Sequence, residues 1–90
     1  MLVNSLEGLV ERGKQAQDEG VKELLRSAYW YAKEFVEQGK DPAEAIEEYH
    51  KSLYKDIQGG LKFVHVETGE YKRNLQWENK TVKALKLLEN

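Results

Sequence analysis

The chain has no cysteine and only one proline. Without cysteine there is no disulfide and no thiolate to serve as metal ligand or nucleophile, and nothing points to an oxidising compartment; the cytoplasm is the expected setting. Nowhere do 18 or so apolar residues run together, and the opening MLVNSLEGLVERGK has no basic n-region, long apolar run or small-residue cleavage site. Neither a secretory nor a membrane-spanning protein is expected. Motifs for nucleophilic catalysis are also lacking: Ser5, Ser27, Ser52, Thr68 and Thr81 sit in no glycine-flanked elbow or phosphate-cradling loop. An enzyme is not expected, and no cofactor is implied.

What is present suits one folded domain. Ninety residues, 40% hydrophobic and 33% charged, support a single modest core and lie far from the composition of disordered chains. Net charge is -2, unevenly spread: residues 1–60 carry eight Lys/Arg against twelve Asp/Glu, residues 61–90 six against four. An acidic helical part and a basic C-terminal part follow, a mild dipole able to orient a partner.

The expected fold is mainly α with a small β element (α+β), in one domain over residues 1–90. Leu2, Val3, Leu6, Leu9 and Val10 have helical spacing, and Asn4 with Glu7 fits a capping box, giving a first helix over about 5–17 that Gly8 and Gly13 weaken. Val21, Leu24, Leu25, Ala28, Ala32, Phe35 and Val36 form the apolar stripe of a second helix over about 20–38, which Gly39 ends. Asp41 as N-cap, Pro42 as first helical residue and Glu44 as capping-box partner start a third, over about 42–58, with Ile46, Tyr49, Leu53 and Ile57 on its inner stripe. A short terminal helix over about 80–89, capped by Asn79, carries Val82, Leu85 and Leu88.

Residues 61–77 alternate like a two-stranded antiparallel hairpin. A three-residue loop sets His65 opposite Tyr71 and Phe63 opposite Arg73, leaving Val64 and Val66 outside; a two-residue loop pairs Val66 with Tyr71 and leaves Phe63 outside. Two strands alone are marginal and expose unpaired edges, so the ribbon needs helices beneath it and invites strand addition from a partner or a second copy.

SAYWYAKEFVEQGKDPAEAIEEYHKSL resembles a single tetratricopeptide unit, with Ala32, Phe35, Gly39, Ala45, Ile46, Tyr49 and Leu53 at the corresponding places. It covers about a third of the chain, has one extra residue in the turn, and stands alone where such arrays stack about three units. An ordinary antiparallel helical hairpin is therefore expected.

Four features carry the functional expectations. Glu47 and His50 have the Glu-x-x-His spacing of helix-bundle metal sites, but no second pair exists, and a metal is not expected. Glu34, Glu37, Asp41, Glu44, Glu47 and Glu48 surround one helix-turn-helix corner and project a negative potential, which is either a solubilising surface or a dock for a basic partner. Trp30 is turned about 200° from Ala28. Covering by the first or last helix is the plainer expectation for it; left exposed, it has the make-up of an interface hot spot.

The fourth feature is the basic third of the chain. Lys62, Lys72, Arg73, Lys80, Lys83 and Lys86 are interleaved with Phe63, Tyr71 and Trp77, the composition of a nucleic-acid surface. The acidic third helix, where a recognition helix would lie, argues against it. The expected function is a small non-enzymatic interaction module that regulates or inhibits a larger protein. Contact would run through Trp30, Glu34, Glu37, Asp41, Glu44, Glu48, Val64 and Val66, with a homodimer as one form of association. The alternative is nucleic-acid binding through Lys72, Arg73, Lys80 and Lys83. Small viral and mobile-element inhibitors are similar in make-up, by analogy alone.

Overall fold

Local capping chemistry sets most of the helix ends. The computed structural model describes the backbone of residues 2–58, 62–64, 71–73 and 75–89, and side chains over 2–57 and 78–89. Helix α1 (Leu6–Gln15) starts at Ser5, whose hydroxyl accepts the Gly8 N–H at 3.1 Å, so Ser5 and not Asn4 is the cap. Helix α2 (Glu19–Glu37) starts at Asp18, whose carboxylate accepts the N–H groups of Gly20 and Val21 at 2.7 and 3.4 Å. It stops in a Schellman arrangement. Gly39 takes φ +79°, its N–H donates to Val36, and the Lys40 N–H donates to Phe35 at 2.8 Å. Two residues later the Asp41 carboxylate accepts the Ala43 N–H at 2.9 Å, and helix α3 (Pro42–Gln58) begins.

The expected α+β class is overturned: four helices dominate the described chain, and among the described residues the buried core lies on them and on Ala16, just past the end of α1. A hairpin over 61–77 with a short helix after it is not what the chain forms. Helix α4 (Leu75–Glu89) starts five residues before its expected onset and takes in Leu75 and Trp77, which alternation had assigned to a strand. Leu75, Gln76, Trp77 and Glu78 include no glycine, proline or β-branched residue, and extending an existing helix is far easier than nucleating one. Asn79 thus lies inside α4 rather than at its cap.

Strand pairing is confined to two three-residue strands, β1 (Lys62–Val64) and β2 (Tyr71–Arg73). Their antiparallel register, Lys62 with Arg73, Phe63 with Lys72 and Val64 with Tyr71, differs from both expected alignments. With Leu75 and Trp77 taken into α4, the apolar alternation that was to fix the register is gone. His65 and Val66 lie outside the described residues.

The core is assembled from helix stripes. Leu9 of α1, Val21, Leu25, Ala28 and Ala32 of α2, Ala45, Ile46 and Leu53 of α3, and Ala84, Leu85 and Leu88 of α4 form one buried cluster with Ala16. Thr81, a polar residue with no exposed surface, extends the α4 stripe to residues 81, 84, 85 and 88. Helix α2 is central and packs against the other three. Val36, expected inside, is 42% exposed. By the 1.5 Å rise of a helix, α1 spans about 15 Å and α2 about 28 Å, so α1 cannot cover the far end of its neighbour. At the opposite end of α1 the chain folds back. The Val3 N–H donates to the Leu88 carbonyl at 2.8 Å, an otherwise orphaned group at the end of α4, and Val3 lies over Gly8.

The glycines of α1 therefore differ in consequence. A methyl group on Gly8 would fall 2.7 Å from Val3 Cγ1, whereas one on Gly13 would meet nothing within 4 Å. Gly13→Ala should raise stability by about 1 kcal/mol through helix propensity. Gly8→Ala should gain less than that or lose, because Val3 must move. Urea denaturation of both variants checks the contrast, and equal gains would contradict it.

Asp18 provides a second test. Its pKa is lowered mainly by the Gly20 N–H, against some desolvation, with help from the Val21 N–H, Lys80 and Lys83. A lowered folded-state pKa means that the charged form stabilises the fold above the ordinary carboxylate range, and that this contribution is lost as pH falls through the lowered value. Between neutrality and about pH 2, Tm should fall further for the wild type than for Asp18→Asn, which keeps the capping oxygen. Parallel Tm profiles would show that the charge contributes nothing.

Candidate functional site

The outer side of α2 follows from the same periodicity that builds its inner side. With Val21, Leu25, Ala28 and Ala32 pointing into the core, Glu23, Arg26, Trp30, Glu34 and Glu37 point into solvent. Trp30 is 58% exposed, so no helix covers it, contrary to the plainer expectation. It is held in place all the same. The Tyr29 ring meets it edge-on, with centroids 5.7 Å apart, and the Lys33 ammonium lies 4.8 Å from its centroid.

The acidic corner lies at the end of the same helix and the start of the next. Glu34, Glu37, Asp41, Glu44, Glu47 and Glu48 are all exposed. Asp41 is committed to capping α3. Glu48 accepts the Tyr31 hydroxyl at 2.6 Å, which joins α2 to α3 and pushes the Tyr31 pKa up, first through that hydrogen bond. The cations beside the corner lie on aromatic rings, Lys33 on Trp30 and Lys40 on Phe35 at 5.2 Å. Trp30, Glu34 and Glu37 thus share one face, Asp41 and Glu44 the turn, and Glu48 is tied to them through Tyr31.

The remaining expected residues are placed differently. Val64 belongs to β1 and Lys72 and Arg73 to β2, with their side chains outside the described set, as is all of Val66. Lys80 faces Asp18 at 3.8 Å, and Lys83 is exposed on α4. His50, half of the Glu-x-x-His spacing, donates to Glu89 at 2.8 Å and stacks on Tyr54, linking α3 to the end of α4. Among the described residues no group of three or more His, Cys, Asp or Glu side chains could hold a metal ion. No described helix is long and apolar enough to cross a membrane.

Sequence reasoning missed two features. Tyr49 donates its hydroxyl to the Leu24 carbonyl at 2.9 Å, and burial pushes its pKa up. A groove also opens between α1 and α2 around Gly13, whose missing side chain was legible only as a weak point in a helix. No protein-family model, curated protein or solved structure matches this chain.

An exposed Trp30 should matter little for folding. Trp30→Ala should change the free energy of unfolding by no more than about 1 kcal/mol, chiefly through the contacts with Tyr29 and Lys33. Denaturant titration measures this, and a loss of several kcal/mol would place the ring in the core.

Proposed function

We propose that this chain is a small, non-enzymatic protein-interaction module of the cytoplasm that regulates or inhibits a larger protein by surface binding. The observation that supports it best is Trp30, more than half exposed and diametrically opposite the buried stripe of α2. Leaving so large an apolar ring in water forgoes the roughly 25 cal/mol per Å² that burial would return, and tryptophan is the residue most enriched where interfaces concentrate their binding energy. The carboxylates of Glu34 and Glu37 beside it, with Asp41, Glu44 and Glu48 around the corner, favour a partner surface that combines an apolar pocket with basic residues. That partner is another protein, a second copy of this chain included.

Nucleic-acid binding through Lys72, Arg73, Lys80 and Lys83 has less support, because Lys80 already faces Asp18 and the exposed faces of α2 and α3 carry mostly carboxylates. Affinity capture with the wild type, Trp30→Ala and the pair Glu34→Lys, Glu37→Lys tests the proposal. The wild type should recover a specific partner that both variants lose. Equal recovery by all three would remove this face from the account.

A further inference from the structure

Helices α1 and α2 form an antiparallel pair joined by residues 16–18, and α4 packs against both of them. A second groove between the same two helices is left open, and no described α4 residue lines it. Its floor is Leu9 and Leu25, each almost wholly buried, and Gly13, where an added methyl group would meet nothing within 4 Å. Its lips are Val10, 45% exposed, and the half-buried Tyr29. The volume is about 380 Å³.

The charges that line it share one sign. Among the described residues, Lys14, Lys22 and Arg26 are the only charged side chains that line the groove, and all three are cations. Their carboxylate partners, Glu11, Glu19 and Glu23, stand three positions earlier on the same helices, outside the lining. Exposed pairs of this kind contribute little. Tyr29 touches both this groove and Trp30, so the groove continues the face described above.

We infer that the groove between α1 and α2 docks an acidic amphipathic helix of a partner protein. Its apolar stripe lies along Leu9, Val10, Leu25 and Tyr29, and its flanking carboxylates reach Lys14, Lys22 and Arg26. Gly13 leaves room for one bulky anchor of that helix. The inference rests on the proposal that the chain is a protein-interaction module, and adds a second contact, whose charge is opposite to the basic surface that the acidic corner favours.

The test uses a synthetic helical peptide of roughly four turns, with leucine at i, i+3 and i+7 positions flanked by glutamates, and a second peptide with lysines in place of the glutamates. Each is titrated into the isotope-labelled chain while amide resonances are followed. The glutamate peptide should shift residues of α1 and the first half of α2, and the lysine peptide should not. Gly13→Leu, which puts a bulky side chain where a Cβ meets nothing within 4 Å, should weaken the glutamate peptide roughly tenfold or more. Lys22→Glu with Arg26→Glu should do the same, while Gly13→Ala reports whether α1 still folds. No binding by the glutamate peptide, equal binding of both peptides, or full binding by Gly13→Leu would overturn the inference. Partner capture that depends on Trp30 while the glutamate peptide fails to bind would sink the groove and leave the broader proposal standing.

Discussion

Four alanines without exposed surface hold this fold together: Ala28 and Ala32 on α2, Ala45 on α3 and Ala84 on α4, all in one buried cluster. Methyl side chains let helices approach toward the lower limit of about 8 Å between axes, where larger ones would hold them apart. In a domain this small the margin of stability is only a few kcal/mol, so close packing around α2 is a condition of folding. The leucines of the cluster, Leu9, Leu25, Leu53, Leu85 and Leu88, and its one isoleucine, Ile46, fill the space that the alanines fix.

Once α1, α3 and α4 are gathered on α2 in this way, hydrogen bonds between elements lock the arrangement. Tyr49 reaches the Leu24 carbonyl, Tyr31 reaches Glu48, His50 reaches Glu89, and the Val3 amide closes the end of α4. What remains of α2 is its outer side, with Trp30 at the middle, the acidic corner at one end and the flank of the α1–α2 groove near the other. The proposed function is placed on this side because Trp30 stays exposed there, while its position is fixed by the packing beneath.

Much of the helical plan was legible. Gly39, Asp41 and Pro42 are strong local signals whose chemistry does not depend on distant residues, and the α2–α3 turn follows them closely. The onset of α4 was not legible, because Leu75 and Trp77 alternate over too short a span to reveal that helix propagation from the stripe of Thr81, Ala84, Leu85 and Leu88 would absorb them. Val36 and Trp30 depended on how far α1 extends along α2, a tertiary fact that periodicity does not carry. The face of Trp30 on its helix was readable; the absence of anything over it was not.

If the alanine seam is the governing constraint, enlarging it should be worse than altering any exposed residue discussed above. Ala32→Leu adds volume to a position with no exposed surface and should cost about 1–3 kcal/mol of stability by overpacking. Equilibrium urea denaturation of Ala32→Leu beside the wild type measures this directly. The expected result is a lower midpoint with an unchanged slope; an unchanged or higher midpoint would contradict the account.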